Sequence, residues 1–220
     1  MPSHLTAAVV RSVNSGRAVE HDWAGKATRT AIDKRPVEGT VTVRTLGITG
    51  DEQADTARHG GRDQAVYAYA REDLDRWQEH LGHPLRDGRF GENLTTRGID
   101  PSQVRIGERW RIGTVLLEAT LPRVPCRTFQ AWMDEPQWVK RFAAEGRAGI
   151  YLRVLEEGEL AAGDTITVER PDHDITVYRA AQARDDRDLD LLNRVLELPD
   201  PADKWRQEAA KVAKRLNRVV

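Results

Sequence analysis

The sequence predicts a mainly β protein with peripheral helices, in which residues 1–170 form a β-barrel-like or folded sheet and residues 171–220 form a small three-helix segment. Three observations support this fold class. Short segments with alternating apolar and polar residues recur between turns rich in Gly and Pro. Only two clear helical patterns interrupt them, and after residues 171–174 the pattern becomes helical throughout.

The composition limits the classes of function. Lys and Arg total 34 and Asp and Glu total 35, so no bulk basic field is present and nucleic-acid binding is not expected. No apolar run approaches the length of a membrane span, and residues 1–11 resemble a first strand rather than a signal peptide. A single cysteine excludes an internal disulfide and a four-thiolate cluster, and it fits a reducing, cytoplasmic setting.

The predicted strands follow from alternation and turn residues. Residues 9–13 and 37–43 are the first two, and Gly91-Glu92-Asn93 introduces a short Thr-rich strand. Residues 104–112 are predicted to form a hairpin. Residues 114–121, 149–155 and 163–168 complete the main body.

The predicted helices have apolar residues at helical spacing and end at glycine. In residues 72–81, Leu74, Trp77 and Leu81 share one face, and Gly82 follows. Residues 136–145 end at Gly146. The tail is predicted to contain helices at 176–183, 188–197 and 202–218, and it is too small to be expected to fold alone, so we expect it to dock on the main body.

The only cysteine, Cys126, lies in a stiff and cationic segment. Pro122 and Pro125 fix their own φ, so the thiol is held on restricted backbone. Arg123 and Arg127 favour the thiolate, which is the form that attacks or binds a metal. The alternative is that Cys126 is a small buried apolar residue.

Other polar motifs are weak signals when taken singly. Lys34 is either a solvated loop charge or an anion ligand at a strand entrance. His59-Gly60-Gly61 is either a tight turn or a point of close approach to a ligand, and it matches neither a dinucleotide fingerprint nor a Walker A loop. The neighbouring aspartates do not have the spacing of an EF-hand or a zinc motif, so we interpret them as turn residues.

Taken in order, these motifs resemble those of the MOSC-domain family, named for the C-terminal domain of molybdenum-cofactor sulfurases, and in particular its YiiM-like bacterial branch. The resemblance covers residues 5–170, and the helical tail resembles the three-helix segment that follows the domain in that branch. The matching residues are Lys34 with Pro36-Val37-Glu38-Gly39, the run from Gly50-Asp51 to Asp55, His59-Gly60-Gly61 with Asp63, Ala65-Val66-Tyr67, Gly91-Glu92-Asn93-Leu94-Thr95-Thr96, Ile106-Gly107-Glu108, Pro122-Arg123-Val124-Pro125-Cys126, Tyr151-Leu152-Arg153-Val154-Leu155 and Gly163-Asp164.

The resemblance implies a molybdenum cofactor of the molybdopterin type, with no requirement for pyridoxal phosphate. Cys126 would be the metal ligand and the catalytic residue. Asp63 and Glu92 are expected to orient neighbouring groups rather than contact the metal. The residues expected to hold the pterin and its phosphate are Lys34, His59, Asn93, Arg123, Arg127 and Thr128.

The resemblance also implies reduction of N-hydroxylated small molecules, including hydroxylamino base analogues, to amines. No flavin or nicotinamide motif is visible, so a separate reductase would supply electrons. Two alternatives remain open at this point: sulfur transfer through a persulfide on Cys126, and a non-catalytic cofactor carrier. The tail contains no expected site residue, so removal of the chain after Asp174 is expected to leave cofactor binding largely intact.

Overall fold

Eight of the strands form one mixed sheet, which carries most of the hydrophobic core. The structure is a computed structural model that describes residues 7–23, 26–54 and 60–217. The strands are β1 (Val9–Ser15), β2 (Val19–Trp23), β3 (Lys26–Thr30), β4 (Arg35–Pro36), β5 (Thr40–Arg44), β6 (Gly47–Ile48), β7 (Val66–Ala70), β8 (Leu94–Arg97), β9 (Arg109–Ile112), β10 (Val115–Pro122), β11 (Ile150–Glu156), β12 (Gly158–Ala161) and β13 (Ile166–Glu169).

The large sheet has the order β13-β9-β10-β11-β7-β8-β1-β4, and all neighbours are antiparallel except β7 and β8. The segment preceding β13 bends back to β1. An isolated bridge joins Val9 to Thr165, and the Val10 amide donates to the Asp164 carbonyl at 2.9 Å. The predicted β-rich core is therefore confirmed. The sheet curls like a barrel, but among the described strands no continuous ladder closes it.

The strands predicted at 37–43 and 163–168 each begin three residues before the observed strands, β5 and β13. Gly39 has φ 75° and interrupts the run from 37 to 43, so β5 begins only at Thr40. The predicted hairpin at 104–112 is wrong, because β9 pairs with β10 across Gly113. Residues 104–106 bond to the start of the tail instead: the Ile106 amide donates to the Ile175 carbonyl at 3.1 Å.

Three smaller strands, β12, β5 and β6, form a second sheet, and β2 with β3 forms a hairpin that was not predicted from the sequence. The strands of this hairpin are polar and partly exposed, so they lack the apolar alternation that marks a strand buried on one face.

Within the described residues, six α-helices surround the sheets: α1 (Arg71–Leu81), α2 (Arg127–Met133), α3 (Trp138–Glu145), α4 (Val177–Asp186), α5 (Leu189–Leu196) and α6 (Asp203–Leu216). α1 and α3 end at Gly82 and Gly146, which have φ 73° and 67°, as predicted. α2 was not predicted. No helix in the described part of the chain has the length and apolar character needed to cross a membrane.

The apolar side chains form two clusters. The second is aromatic and lies between β7 and helices α1 to α3; it includes Trp77, Phe90, Phe129, Trp138 and Phe142. The first fills the curled sheet and also contains residues of the tail helices, among them Leu192, Val195, Trp205 and Val212. The tail therefore docks on the main body through a shared core, while the division of the chain at residue 170 stays a prediction.

Candidate functional site

A cavity of about 210 Å³ brings together polar residues from distant parts of the chain. Five of the seven residues predicted for the site line it: Lys34, Asn93, Arg123, Cys126 and Thr128. Arg127 is exposed and does not contribute to the wall, whereas His59 lies outside the described residues. The cavity therefore unites most of the motifs that were weak singly.

Cys126 lies where β10 gives way to α2. β10 ends at Pro122, three loop residues follow, and Cys126 is the N-cap residue of α2 with extended backbone, φ −128°. Its carbonyl accepts from the Gln130 amide at 3.0 Å. The side chain is half-buried and lines the cavity, so the residue is not sealed in the apolar core. α2 turns Thr128 into the wall and leaves Arg127 outside it.

Arg123 is a buried cation beside the thiol. Its guanidinium donates to the Phe90 carbonyl and lies over two aromatic rings, 3.9 Å from the centroid of Phe129 and 5.1 Å from that of Tyr67. No carboxylate of the described residues lies within 4 Å of it, although only 8% of the residue is exposed. Burial lowers the pKa of Arg123, but nearby Tyr67 and Tyr151 outweigh this effect, so the pKa is raised. Arg123 is therefore a fixed positive charge available to an anion in the cavity.

Lys34 forms a second cationic position, but it is paired. Its ammonium donates to Asp51, which also accepts from the Gly16 amide at 2.9 Å and from the Asn93 side chain at 2.9 Å. Both side chains of the pair are less than a tenth exposed. Burial lowers the pKa of Lys34, and Asp51 opposes that shift. Lys34 can still direct donors at a ligand, because an ammonium has three.

Asn93 supports this pair more than it faces a ligand. Its amide oxygen accepts from the Tyr67 amide at 3.1 Å, and its amide nitrogen donates to Asp51 and to the Asn14 carbonyl. Both donors and one acceptor lone pair are therefore used within the protein. Asn93 lines the cavity, but its contacts make it a positioning residue for Asp51.

Glu92 holds the loop that precedes Asn93. This fully buried carboxylate accepts from the amides of Gly88, at 2.6 Å, and Phe90, at 2.9 Å, and from the Thr95 hydroxyl at 2.9 Å. Burial raises its pKa, and these hydrogen bonds oppose the shift. Glu92 does not line the cavity. Its contacts match the orienting role expected from the sequence.

Several wall residues were not identified from the sequence. Tyr67 and Tyr151 pair across β7 and β11, and both rings face the cavity, with centroids 5.3 Å apart. Burial raises the pKa of both phenols. Gln64 also lines the cavity, as do Thr28 and Thr30 of the unpredicted hairpin. The tyrosines lay inside quoted motifs, and strand alternation places Tyr67 on the face of β7 opposite that of Val66, a signal that could have found it.

The donor set favours an imported metal over a protein-built one. Within the part of the chain that the structure describes, no three His, Cys, Asp or Glu side chains are grouped to hold an ion. The cavity instead offers one thiol, which is a soft ligand, beside a guanidinium suited to phosphate. This set fits a metal that arrives with sulfur ligands of its own on a phosphate-bearing group.

Comparisons with known proteins agree with the fold and the motifs. The family model of the MOSC domain matches residues 55–167. The uncharacterized protein YflK of Bacillus subtilis is 33% identical over 210 residues, which are 94% of this chain and 95% of YflK. A protein named "Reductase" from Gibberella moniliformis is 36% identical over 211 residues, and this match covers 90% of the chain but only 37% of that protein.

The structure is similar to that of YiiM from Geobacillus stearothermophilus, with a TM-score of 0.78, 27% identity, and coverage of 93% of this chain and 98% of YiiM. The similarity extends over the curled sheet and also over most of the tail, since so little of either chain is left out. Together with the cavity built from the ordered motifs, these matches show that the chain belongs to the MOSC-domain family and is a homologue of YiiM.

Proposed function

We propose that this protein is a molybdenum-cofactor-dependent oxidoreductase that reduces N-hydroxylated small molecules, including hydroxylamino base analogues, to amines. One observation carries the proposal. The only thiol of the chain opens onto the same cavity as Arg123, a buried guanidinium with no carboxylate of the described residues within 4 Å. The positive charge of Arg123 stabilises the thiolate form of Cys126 and can also bind an anionic group of a ligand in the same cavity.

The residues of the cavity wall have different roles in this proposal. Cys126 is the thiolate ligand for the metal, and Arg123 with Lys34 supplies the donors for a cofactor phosphate. Thr128 adds a hydroxyl at the start of α2. Tyr67 and Tyr151 contribute two tilted aromatic rings to the wall, and burial raises the pKa of both phenols, so they stay neutral. The Tyr67 hydroxyl donates to the Ala148 carbonyl at 2.7 Å.

The reaction is R–NHOH plus two electrons and two protons giving R–NH₂ plus water. The cofactor supplies the two-electron couple when it is bound. The chain binds and orients the substrate in a cavity lined in part by the rings of Tyr67 and Tyr151, and Arg123 supplies a fixed positive charge there.

The electrons come from a separate reductase in this proposal. The relative named "Reductase" supports it, because the length matched by this chain is little more than a third of that protein. The remainder of such a longer chain has room for an electron-donating part that this protein would obtain from a partner. A reducing compartment such as the cytoplasm keeps the Cys126 thiol available.

The first test is the molybdenum content of protein purified from a host that makes the pterin cofactor. We expect about one metal per chain, lost in Cys126→Ala. Arg123→Met and Arg127→Met form a matched pair: the buried arginine should be required for retention and the exposed one should not. Wild-type protein without metal contradicts the proposal. A persulfide on Cys126 in such protein supports sulfur transfer.

The second test is turnover. The metal-loaded protein, with a chemically reduced viologen dye as electron source, should convert a hydroxylamino base analogue to its amine. Metal-loaded protein that turns over no hydroxylamine with any reductant supports the carrier function and contradicts the reductase.

A further inference from the structure

We propose that the C-terminal segment is a working part of the cofactor site, in which Asp200 and Lys204 are positioning residues that hold the wall formed by residues 60–64. The inference rests on the proposed function, because it takes the cavity to be the cofactor site. It replaces the expectation that the tail can be removed without loss of cofactor binding.

Lys204, in the first turn of α6, reaches the wall directly. Its ammonium donates to the side-chain oxygen of Gln64 at 2.7 Å, and the same oxygen accepts from the Gly60 amide at 3.3 Å. Gln64 is 8% exposed, and both Gln64 and Gly60 line the cavity. The side-chain oxygen of Gln64 thus links Gly60 and Gln64 to Lys204 of the tail. A hydrogen bond from a charged donor such as Lys204 is stronger than one from a neutral donor.

Asp200, in the loop between α5 and α6, holds the two residues that precede Gln64. Its carboxylate accepts from Arg62 at 2.6 Å and from Arg153, and its carbonyl accepts from Arg153 at 2.8 Å. The Arg153 side chain is 3% exposed, and its Nε lies 3.3 Å from an oxygen of Asp63. Asp200 and Arg153 therefore clamp the turn from outside the cavity.

A third set of hydrogen bonds links α6, through Thr120, to the turn at 60–64 and to the Tyr151 backbone. The Trp205 indole donates to the Thr120 carbonyl at 3.0 Å. The Thr120 hydroxyl lies 2.6 Å from the carbonyl of Asp63 and 3.0 Å from that of Tyr151. A shift of α6 would therefore displace the turn at 60–64 and the backbone of Tyr151 together.

These contacts exceed what docking of the tail requires. The apolar faces of α4 to α6 already bury in the shared core. Asp200 and Lys204 add an anion and a cation that both terminate on one short turn, and two residues of that turn face the cavity. A tail that served stability alone would need neither charge directed at this turn.

The test compares full-length Lys204→Met with Lys211→Met, a matched change on the same helix at a lysine that pairs with Glu208. The first readout is amide hydrogen exchange in protein from a host that lacks the pterin pathway. We expect the amides of residues 60–64 to exchange about tenfold faster in Lys204→Met, the effect of losing one hydrogen bond to a charged donor. The control should not change, and Lys204→Arg should restore protection.

The second readout is molybdenum per chain in protein from a pterin-making host, which we expect to fall about threefold or more in Lys204→Met and in Asp200→Asn, but not in Lys211→Met. Unchanged exchange at 60–64 in Lys204→Met overturns the inference. So does faster exchange spread evenly over the chain, which marks a purely structural role. If wild-type protein holds no molybdenum, the proposed function fails, whereas the exchange result still decides whether the tail holds this wall.

Discussion

The buried Lys34–Asp51 pair offers a sharp test of how the site is held together. Asp51→Asn removes the charge opposite an ammonium whose side chain is 9% exposed, while the Asp51 side chain itself is 6% exposed. The new amide also presents a donor where three donors converge, from Lys34, Gly16 and Asn93. Breaking one side of a buried pair costs about 3–5 kcal/mol, and we expect the free energy of unfolding to fall by that amount.

The pH dependence of folding stability provides a second, independent test of the Lys34–Asp51 pair. Burial lowers the pKa of Lys34 from its ordinary value of 10.5, and Asp51 opposes this shift. Below 10.5 the unfolded chain therefore binds more protons than the folded one, and Lys34 makes stability rise with pH in that window. Without Asp51 the folded pKa falls further, so the window begins at lower pH. The deficit of Asp51→Asn should shrink as the pH rises.

Urea denaturation of cofactor-free protein at neutral pH and at about pH 9.5 measures both effects without a contribution from bound ligand. Asp174→Asn is the control, because this exposed aspartate pairs only with the surface arginines Arg179 and Arg194 among the described residues, and we expect no change. A loss below about 1 kcal/mol in Asp51→Asn, or a deficit that is the same at both pH values, would refute the reasoning.

Three other perturbations test the fold. Gly149→Ala should lower the melting temperature far more than Gly146→Ala. Both glycines have positive φ, but a Cβ at Gly149 would lie 2.6 Å from the Ala68 carbonyl oxygen, whereas a Cβ at Gly146 would face open space. Equal shifts in melting temperature would contradict this difference in packing. Burial raises the pKa of Glu92, so above pH 4.5 the folded state binds more protons than the unfolded chain and wild-type stability falls as the pH rises. Glu92→Gln removes this titration and should flatten the dependence of stability on pH. Urea midpoints that change equally with pH in the variant and the wild type would exclude this. Truncation after Asp174 should abolish cooperative thermal unfolding, because it removes Trp205 and the other tail side chains from the shared core and exposes the apolar residues of the main body that they cover; a sharp transition and normal molybdenum content would show that the tail is dispensable.

The successes of sequence reasoning were local. α1 and α3 were found because apolar residues repeat at helical spacing and a glycine follows, and the structure ends both helices at those glycines in left-handed conformation. The prediction that Cys126 is exceptional came from neighbours in sequence, two prolines and two arginines, and the structure places its side chain in the cavity wall.

The predictions that failed concerned features that depend on tertiary packing. Arg123 and Arg127 flank Cys126 in the sequence, but Arg123 is buried beside the Phe129 ring, whereas Arg127, the first residue of α2, is exposed. α2 itself is seven residues long, too short for a periodic signal, and it forms because Phe129 and Met133 bury in the aromatic cluster.

Sequence alone determined the class of fold, the helix ends, and the family motifs with the thiol among them, because each is encoded in residues close together in the chain. Tertiary structure decided which polar groups share a cavity, which arginine is buried, and that a lysine of the tail reaches Gln64, 140 positions away. These outcomes depend on strand pairing and on desolvation, and both arise only when distant segments pack against each other.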